Sequence, residues 1–457
     1  MAGVTRRSFL AASASALAAP ALGAPASGEV DAVIVGAGAA GIAAARRMAA
    51  AGRRFILVEA APRVGGRCIT DTRAFGVPFD RGAHWIYTPD INPVAKLSAR
   101  TGLDVYPAPP GQKVRVGRRN AREGELEDFL AALVRSNRAI VEASRGRADI
   151  HCAQALPKDL GDWRQTVEFV LGPYACSKDL NEMSAMDYGR WTERDTAAFC
   201  RQGFGALLAK LAEGIPVQLG TPVSQIAGRP SRVEVRTERG TLAGRYAIVT
   251  ASTGVLASGK IKFEPDIPKR QLDALGRLKL GSADHIALEL AGNPLGLQRD
   301  ELVFEKAAGA NTAALLANVS GTPLALVTVA GRFGRELSAK GERAMVDFAG
   351  EWLAGLYGND IRQAIKRTQA TRWNDDPWTL GAIAAASPGA QGSRKIMMEP
   401  LRDRIFFAGE AVHETMWGTV GGAWESGERA AEAVLRKLGV LKEPVEPKPE
   451  RPSRKRS

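Results

Sequence analysis

The sequence predicts an α/β fold, and three observations carry that expectation. Val30-Asp31-Ala32-Val33-Ile34-Val35 is a short apolar run of the buried-strand kind, and a turn containing Gly36, Gly38, Ala40 and Gly41 leads from it into an Ala-rich stretch ending near Ala51. Phe55-Ile56-Leu57-Val58 reads as a second strand, with Glu59 at its end. Of the 457 residues, 45% are hydrophobic and 24% charged, the balance of a folded globular chain of two or three domains. Disorder is excluded for the bulk of the chain.

Strand, glycine turn, helix and strand in that order make a Rossmann βαβ unit. Its glycines permit a tight turn and close approach to a pyrophosphate, the helix N-terminus faces that charge, and Glu59 can bind a ribose hydroxyl. Ala60 follows, and then Gly65-Gly66-Arg67, a loop whose backbone and guanidinium can reach the pyrophosphate or the far end of a longer dinucleotide. The 49 glycines keep no fixed period, so no repeat array is expected.

Residues 1–26 read as an export signal. Thr5-Arg6-Arg7-Ser8-Phe9-Leu10 precedes an apolar, Ala-rich run over 11–22, and Ala24-Pro25-Ala26 offers a small-residue cleavage site. Paired arginines in this setting resemble a bacterial twin-arginine signal, which implies the twin-arginine translocase as a partner and a periplasmic or secreted protein. That pathway carries proteins already folded, so a cofactor is expected. No later stretch is apolar for long enough to span a membrane.

The charge is +13, with Lys113, Arg115, Arg118, Arg119 and Arg122 close together and Arg454-Lys455-Arg456 at the end. No nucleic-acid motif accompanies these residues, so a solvated surface is expected, followed by a disordered basic tail over 440–457. Cys68, Cys152, Cys176 and Cys200 have no CxxC spacing and there are only 4 histidines, which argues against a disulfide scaffold and a zinc site.

The chain resembles the flavin-containing amine oxidase family, on motifs distributed along its length. Glu59 to Arg67 continues the fingerprint as that family does. Phe79-Asp80-Arg81-Gly82-Ala83-His84-Trp85-Ile86-Tyr87 resembles the segment along the flavin, and Asn92-Pro93 fits the polyamine-oxidase branch. Ile405-Phe406-Phe407-Ala408-Gly409-Glu410-Ala411 resembles the last FAD strand, and Trp417 to Gly427, with Thr419, Val420 and Ala423, the helix that points its N-terminus at the flavin ring.

The resemblance implies a Rossmann-type FAD-binding domain assembled from 29–87, 215–260 and 400–437, with Val223 at the adenine. It also implies an α+β substrate-binding domain from 88–214 and 261–399 with a helical cap. The activity implied is oxidation of a primary or secondary amine, monoamine or polyamine-like, to an imine by hydride transfer to flavin N5. O2 or a periplasmic electron carrier takes the electrons, and O2 gives H2O2. A dehydrogenase, and a partner-binding flavoprotein with structural FAD, are the alternatives.

Several positions depart from the family pattern. His285 stands where a lysine contacts N5 through water, and Asp284 beside it is a candidate for raising its pKa. Ile383 and Thr419 fall at the aromatic-cage positions, leaving Trp85, Trp378, Trp417 or Trp424 to supply a ring. Ala382 occupies the position of a flavin-linking cysteine, so FAD is expected to be noncovalent. Trp373 matches the tryptophan beside the flavin, and with His285 and Trp417 it completes the expected catalytic set. No arginine follows Ala83 to hold a substrate carboxylate, which favours amines over amino acids.

Overall fold

The computed structural model describes residues 29–191 and 196–442. The export signal expected at 1–26 and residues 443–457 of the expected tail lie outside these.

The first of two large sheets has eight strands. Val30–Val35 runs parallel to Phe55–Val58 on one side and to Gly240–Val249 on the other. A strand flanked on both sides needs apolar residues facing both ways, which is why Ala32, Val33 and Ile34 are wholly buried. Val217–Gln218 extends one edge, while Val233–Thr237, Val223–Gly228 and Lys262–Glu264 extend the other. Ile405–Phe407 returns from far along the chain to lie parallel to Gly240–Val249.

Helices Ala39–Ala50 and Val420–Lys437 pack closely on this sheet. A Cβ on Gly427 would stand 2.0 Å from the Ala40 carbonyl oxygen, so glycine there lets the two backbones meet.

The second sheet runs Ile365–Ala370, Ala283–Leu290, Leu324–Ala330, Ala314–Ala317, Glu301–Glu305, Lys113–Val116 and Arg119–Asn120. Ile286, Leu288, Val327 and Val329 pack on one side against Met345, Ala349 and Leu353 of helix Glu342–Tyr357. Ala287 and Leu326 face the other side, toward Phe79 and Phe199. A helical layer including Glu123–Ala143, Arg164–Phe169 and Ala185–Tyr188 covers this side, with Phe129, Ile140 and Val167 in its core. The α/β architecture with FAD-domain and substrate-domain sheets is as expected.

The expected segment limits shift at three points. Lys262–Glu264 pairs with Val223–Gly228, and Ala274 and Leu275 of the next helix share its core, so the first sheet's territory runs past 260. Phe204, Leu207 and Leu208 pack against Ile42 and Ala43 of the first helix, ahead of 215. Met397 packs in the first sheet's core, ahead of 400. These are short elements recruited by tertiary packing, with no composition change to mark them. Among the described residues no helix is long and apolar enough to cross a membrane.

Candidate functional site

One cleft runs from the C-terminal end of the first sheet to the second sheet. At its base the backbone must be bare. Gly36 has φ +99°, and a Cβ on it would lie 2.5 Å from Thr250 Oγ1. A Cβ on Gly41 would lie 1.8 Å from the Gly36 carbonyl oxygen. The Gly65-Gly66 loop lies alongside, with Gly65 N donating to Ala37 O at 2.8 Å, so the two glycine turns form one cradle.

Gly38, Ala39 and Ala40 line the cleft where the first helix begins, and no acidic side chain sits in its first turn. Its open N–H groups suit an anion. The buried Glu59 carboxylate accepts from Ala37 N at 2.6 Å and Ala61 N at 2.8 Å. Burial raises its pKa against those two donors. Each carboxylate oxygen keeps lone pairs for ribose hydroxyls. Ala60, Pro222 and Val223 complete this end. Glycine cradle, helix terminus and buried carboxylate together fit a dinucleotide such as FAD.

Further along, Arg67 donates to Glu410 at 3.0 Å and to the Ala382 carbonyl. Glu410 also accepts from Gly418 N at 3.0 Å and Ala384 N at 3.3 Å, which ties the Gly-Gly-Arg loop to the last strand. Gly409, at φ +136°, donates to Ser426 Oγ at 2.8 Å. Thr419 caps helix Val420–Lys437 by accepting from Gly422 N at 2.9 Å, and Thr419, Val420 and Ala423 open the helix terminus onto the cleft.

Gly82 is required by close approach: a Cβ there would lie 2.1 Å from Arg67 O and 3.0 Å from the Trp373 ring. Ala83 N donates to Arg67 O at 3.0 Å. Trp373 lines the cleft, its indole N–H held by Arg81 O at 2.9 Å. His84 lines it too, with Nδ1 2.8 Å from buried Asp80 and its ring stacked on Phe199 at 4.6 Å. Trp85 and Tyr87 stack with a 9° interplanar angle, and half-buried Tyr174 lines the cleft with them. These three rings line the substrate-domain end with Ile383.

His285 also lines the cleft. Its Nε2 lies 2.9 Å from Gly82 O and its Nδ1 3.0 Å from Thr328 Oγ1. Burial outweighs the Gly82 hydrogen bond and lowers its pKa to about 4. The expectation that Asp284 raises this pKa is therefore corrected. Asp284 accepts from Trp373 N at 2.8 Å and Thr371 Oγ1 at 3.0 Å, and burial raises its own pKa to about 6.

Trp417 is also corrected: it lies outside the cleft lining, wholly buried and stacked on Trp191 at 5.0 Å. The Arg394 guanidinium sits 4.6 Å from its ring centroid. Trp424 is buried beside Glu428, while Trp378 lies at the cleft's rim near Lys260. Ala382 lines the cleft, and so does Cys68, a buried thiol whose pKa burial pushes well above its ordinary value. Tyr174, Ser177, Thr250 and Thr328 are cleft residues that motif reading missed, because they lie outside the motifs and arrive by tertiary packing.

A family model described as flavin containing amine oxidoreductase matches residues 39–435. The chain is 27% identical to polyamine oxidase 2 of Arabidopsis thaliana, over 90% of this chain and 89% of that one. It is 26% identical to lysine-specific histone demethylase 2 of Homo sapiens, over 88% of this chain and 53% of that one. In fold it is similar to a putrescine oxidase solved with putrescine, at TM-score 0.75 and 17% identity over 89% of this chain and 99% of that one. It is likewise similar to cyclohexylamine oxidase from Brevibacterium oxydans IH-35A, at TM-score 0.75 and 19% identity over 90% of this chain and 100% of that one.

Proposed function

The chain belongs to the flavin-containing amine oxidoreductase family, and from that premise we propose that it oxidises a primary or secondary amine to an imine with noncovalent FAD. The observation that carries this reading is the continuity of the cleft: it leads from the glycine cradle and Glu59 to Trp85, Tyr87, Tyr174, His285 and Trp373 without a break. The relatives named above as acting on polyamines, putrescine or cyclohexylamine support an amine as substrate.

Gly36, Gly38, Gly41, Gly65 and Gly66 would admit the pyrophosphate, Glu59 the ribose, and Arg67 and the Thr419 helix terminus the flavin end. When bound, FAD supplies the acceptor for a hydride leaving the amine α-carbon. The protein holds that carbon in place and keeps water out, and such positioning supplies much of the acceleration in reactions of this kind. Trp373, anchored at both its indole and backbone N–H groups, fixes one wall. The Trp85, Tyr87 and Tyr174 rings bind the apolar body of the substrate in place of the cage positions Ile383 and Thr419.

Ala382 offers no thiol, and Cys68 is held as a protonated thiol by burial, which supports noncovalent attachment. Electrons pass to O2, giving H2O2, or to a periplasmic carrier. Export by the twin-arginine translocase follows from Arg6 and Arg7: replacing both with lysine retains flavin-loaded precursor in the cytoplasm, and normal delivery of that variant refutes the assignment. An amine panel on the purified yellow protein, scoring flavin bleaching and peroxide together, tests the activity and separates oxidase from dehydrogenase.

A further inference from the structure

We infer that Thr328 Oγ1 is the hydrogen-bond acceptor for the N–H of the substrate amine, and that His285 is the positioning residue that makes it an acceptor only. This rests on the reading of the cleft as an amine-oxidising site. His285 and Thr328 stand directly opposite each other on the antiparallel strands Ala283–Leu290 and Leu324–Ala330. Their neighbours Ile286, Val327 and Val329 pack into the core behind the sheet, so the alternation of the strands turns His285 and Thr328 to the cleft that both line.

The hydrogen-bond directions follow from what each atom can do. The Gly82 carbonyl can only accept, so the Nε2 atom 2.9 Å away carries the imidazole proton. Burial keeps the ring neutral at pH 7, with His84 adding to and Asp80 opposing the effect. Nδ1 is then a bare lone pair, and the Thr328 hydroxyl 3.0 Å away must donate to it. Its single hydrogen committed, Thr328 Oγ1 offers only lone pairs to the cleft. A group seated there must bring a hydrogen, as a primary or secondary amine does.

The same contact favours the reaction. As hydride leaves the α-carbon for the oxidised flavin, the nitrogen lone pair closes the C=N bond and a neutral amine becomes an iminium cation. The N–H becomes a stronger donor as this charge develops, so its bond to Thr328 tightens on the way to the transition state. The iminium then gives its N–H proton to solvent water, leaving the neutral imine. A nitrogen whose N–H is bound this way keeps its lone pair free for the C=N bond.

The test is stopped-flow kinetics of the flavin-loaded full chain with an amine taken from the panel. Thr328→Val keeps the shape and removes the acceptor; flavin bleaching at saturating amine should slow by about 10- to 100-fold. Reoxidation in air should not change. Thr328→Ser, which restores the hydroxyl, should recover most of the rate, a rescue that a purely structural role of the residue would not require. Unaltered bleaching by the valine variant overturns this inference alone, as does equal slowing of reoxidation, which marks a water-holding role. Failure of every amine to bleach the wild type overturns the reading of the cleft and this inference with it.

Discussion

Asp284 and His285 are consecutive on one strand and serve opposite faces of its sheet. Asp284 accepts from Trp373 N at 2.8 Å, while the His285 ring bridges Gly82 O at 2.9 Å and Thr328 Oγ1 at 3.0 Å. Adjacent strand residues point apart, so the carboxylate cannot charge its neighbour's imidazole. The position therefore carries a neutral ring at pH 7 where the family pattern has a lysine.

The first prediction follows from that neutrality. The unfolded chain takes up a proton at His285 below its ordinary pKa of 6.5, whereas the folded one resists until about pH 4. The stability from the half-buried neutral ring is fully present above pH 6.5 and is lost progressively as pH falls through that window. Denaturant titrations should show the wild type losing more stability than His285→Gln between pH 7 and pH 5. Flavin reoxidation should show no inflection from His285 between about pH 6 and 8. An inflection there that His285→Gln abolishes contradicts the assignment.

The second prediction concerns the cradle. Gly41→Ala places a Cβ 1.8 Å from the Gly36 carbonyl oxygen, so the turn must open. FAD affinity should fall by about tenfold or more, a loss of about 1.4 kcal/mol, measured by titrating flavin into apoprotein. Glu59→Gln should weaken binding as well: its single amide oxygen cannot serve both Ala37 N and Ala61 N, and an unpaired buried donor costs about 1–3 kcal/mol. Wild-type affinity in the Gly41→Ala protein contradicts the placement of the dinucleotide.

The third prediction is structural. Arg394 and Asp187 form a buried two-point pair, Nε to Oδ1 at 2.8 Å and Nη2 to Oδ2 at 2.7 Å. The same guanidinium donates to Ala411 O and Ala384 O, joining the helical cap to the cofactor strands. Asp187→Ala leaves a buried charge unpaired and should cost about 3–5 kcal/mol in urea unfolding, with a smaller loss for Asp187→Asn. A change under about 1 kcal/mol for Asp187→Ala contradicts that role.

The extent to which the chain was legible followed the range of the signals. The glycine turns, Glu59 and the Arg67 loop could be read because each lies in one contiguous run whose spacing reflects a local backbone need. The Glu410 segment and the Thr419 helix were legible through their family motifs. Thr328, Tyr174 and Ser177 come from separate elements with ordinary sequences, and only the sheet register and the cap bring them to the cleft. Trp417 was misplaced for a related reason: its motif put it beside the flavin helix, whereas stacking on Trp191 and contact with Arg394 hold it in the cap core.

The fourth prediction concerns attachment. Acid or heat denaturation should release all flavin into the supernatant as FAD, identified by chromatography, since Ala382 has no thiol and Cys68 is held protonated. Flavin that stays with the precipitated protein contradicts noncovalent binding.

Whether this cleft oxidises amines is decided by anaerobic titration of the flavin-loaded protein with primary and secondary amines, followed by visible absorbance. At least one amine should bleach the flavin, yielding the carbonyl compound formed when the imine hydrolyses. A spectrum that stays oxidised with every amine, in protein whose flavin light can still reduce, would contradict it.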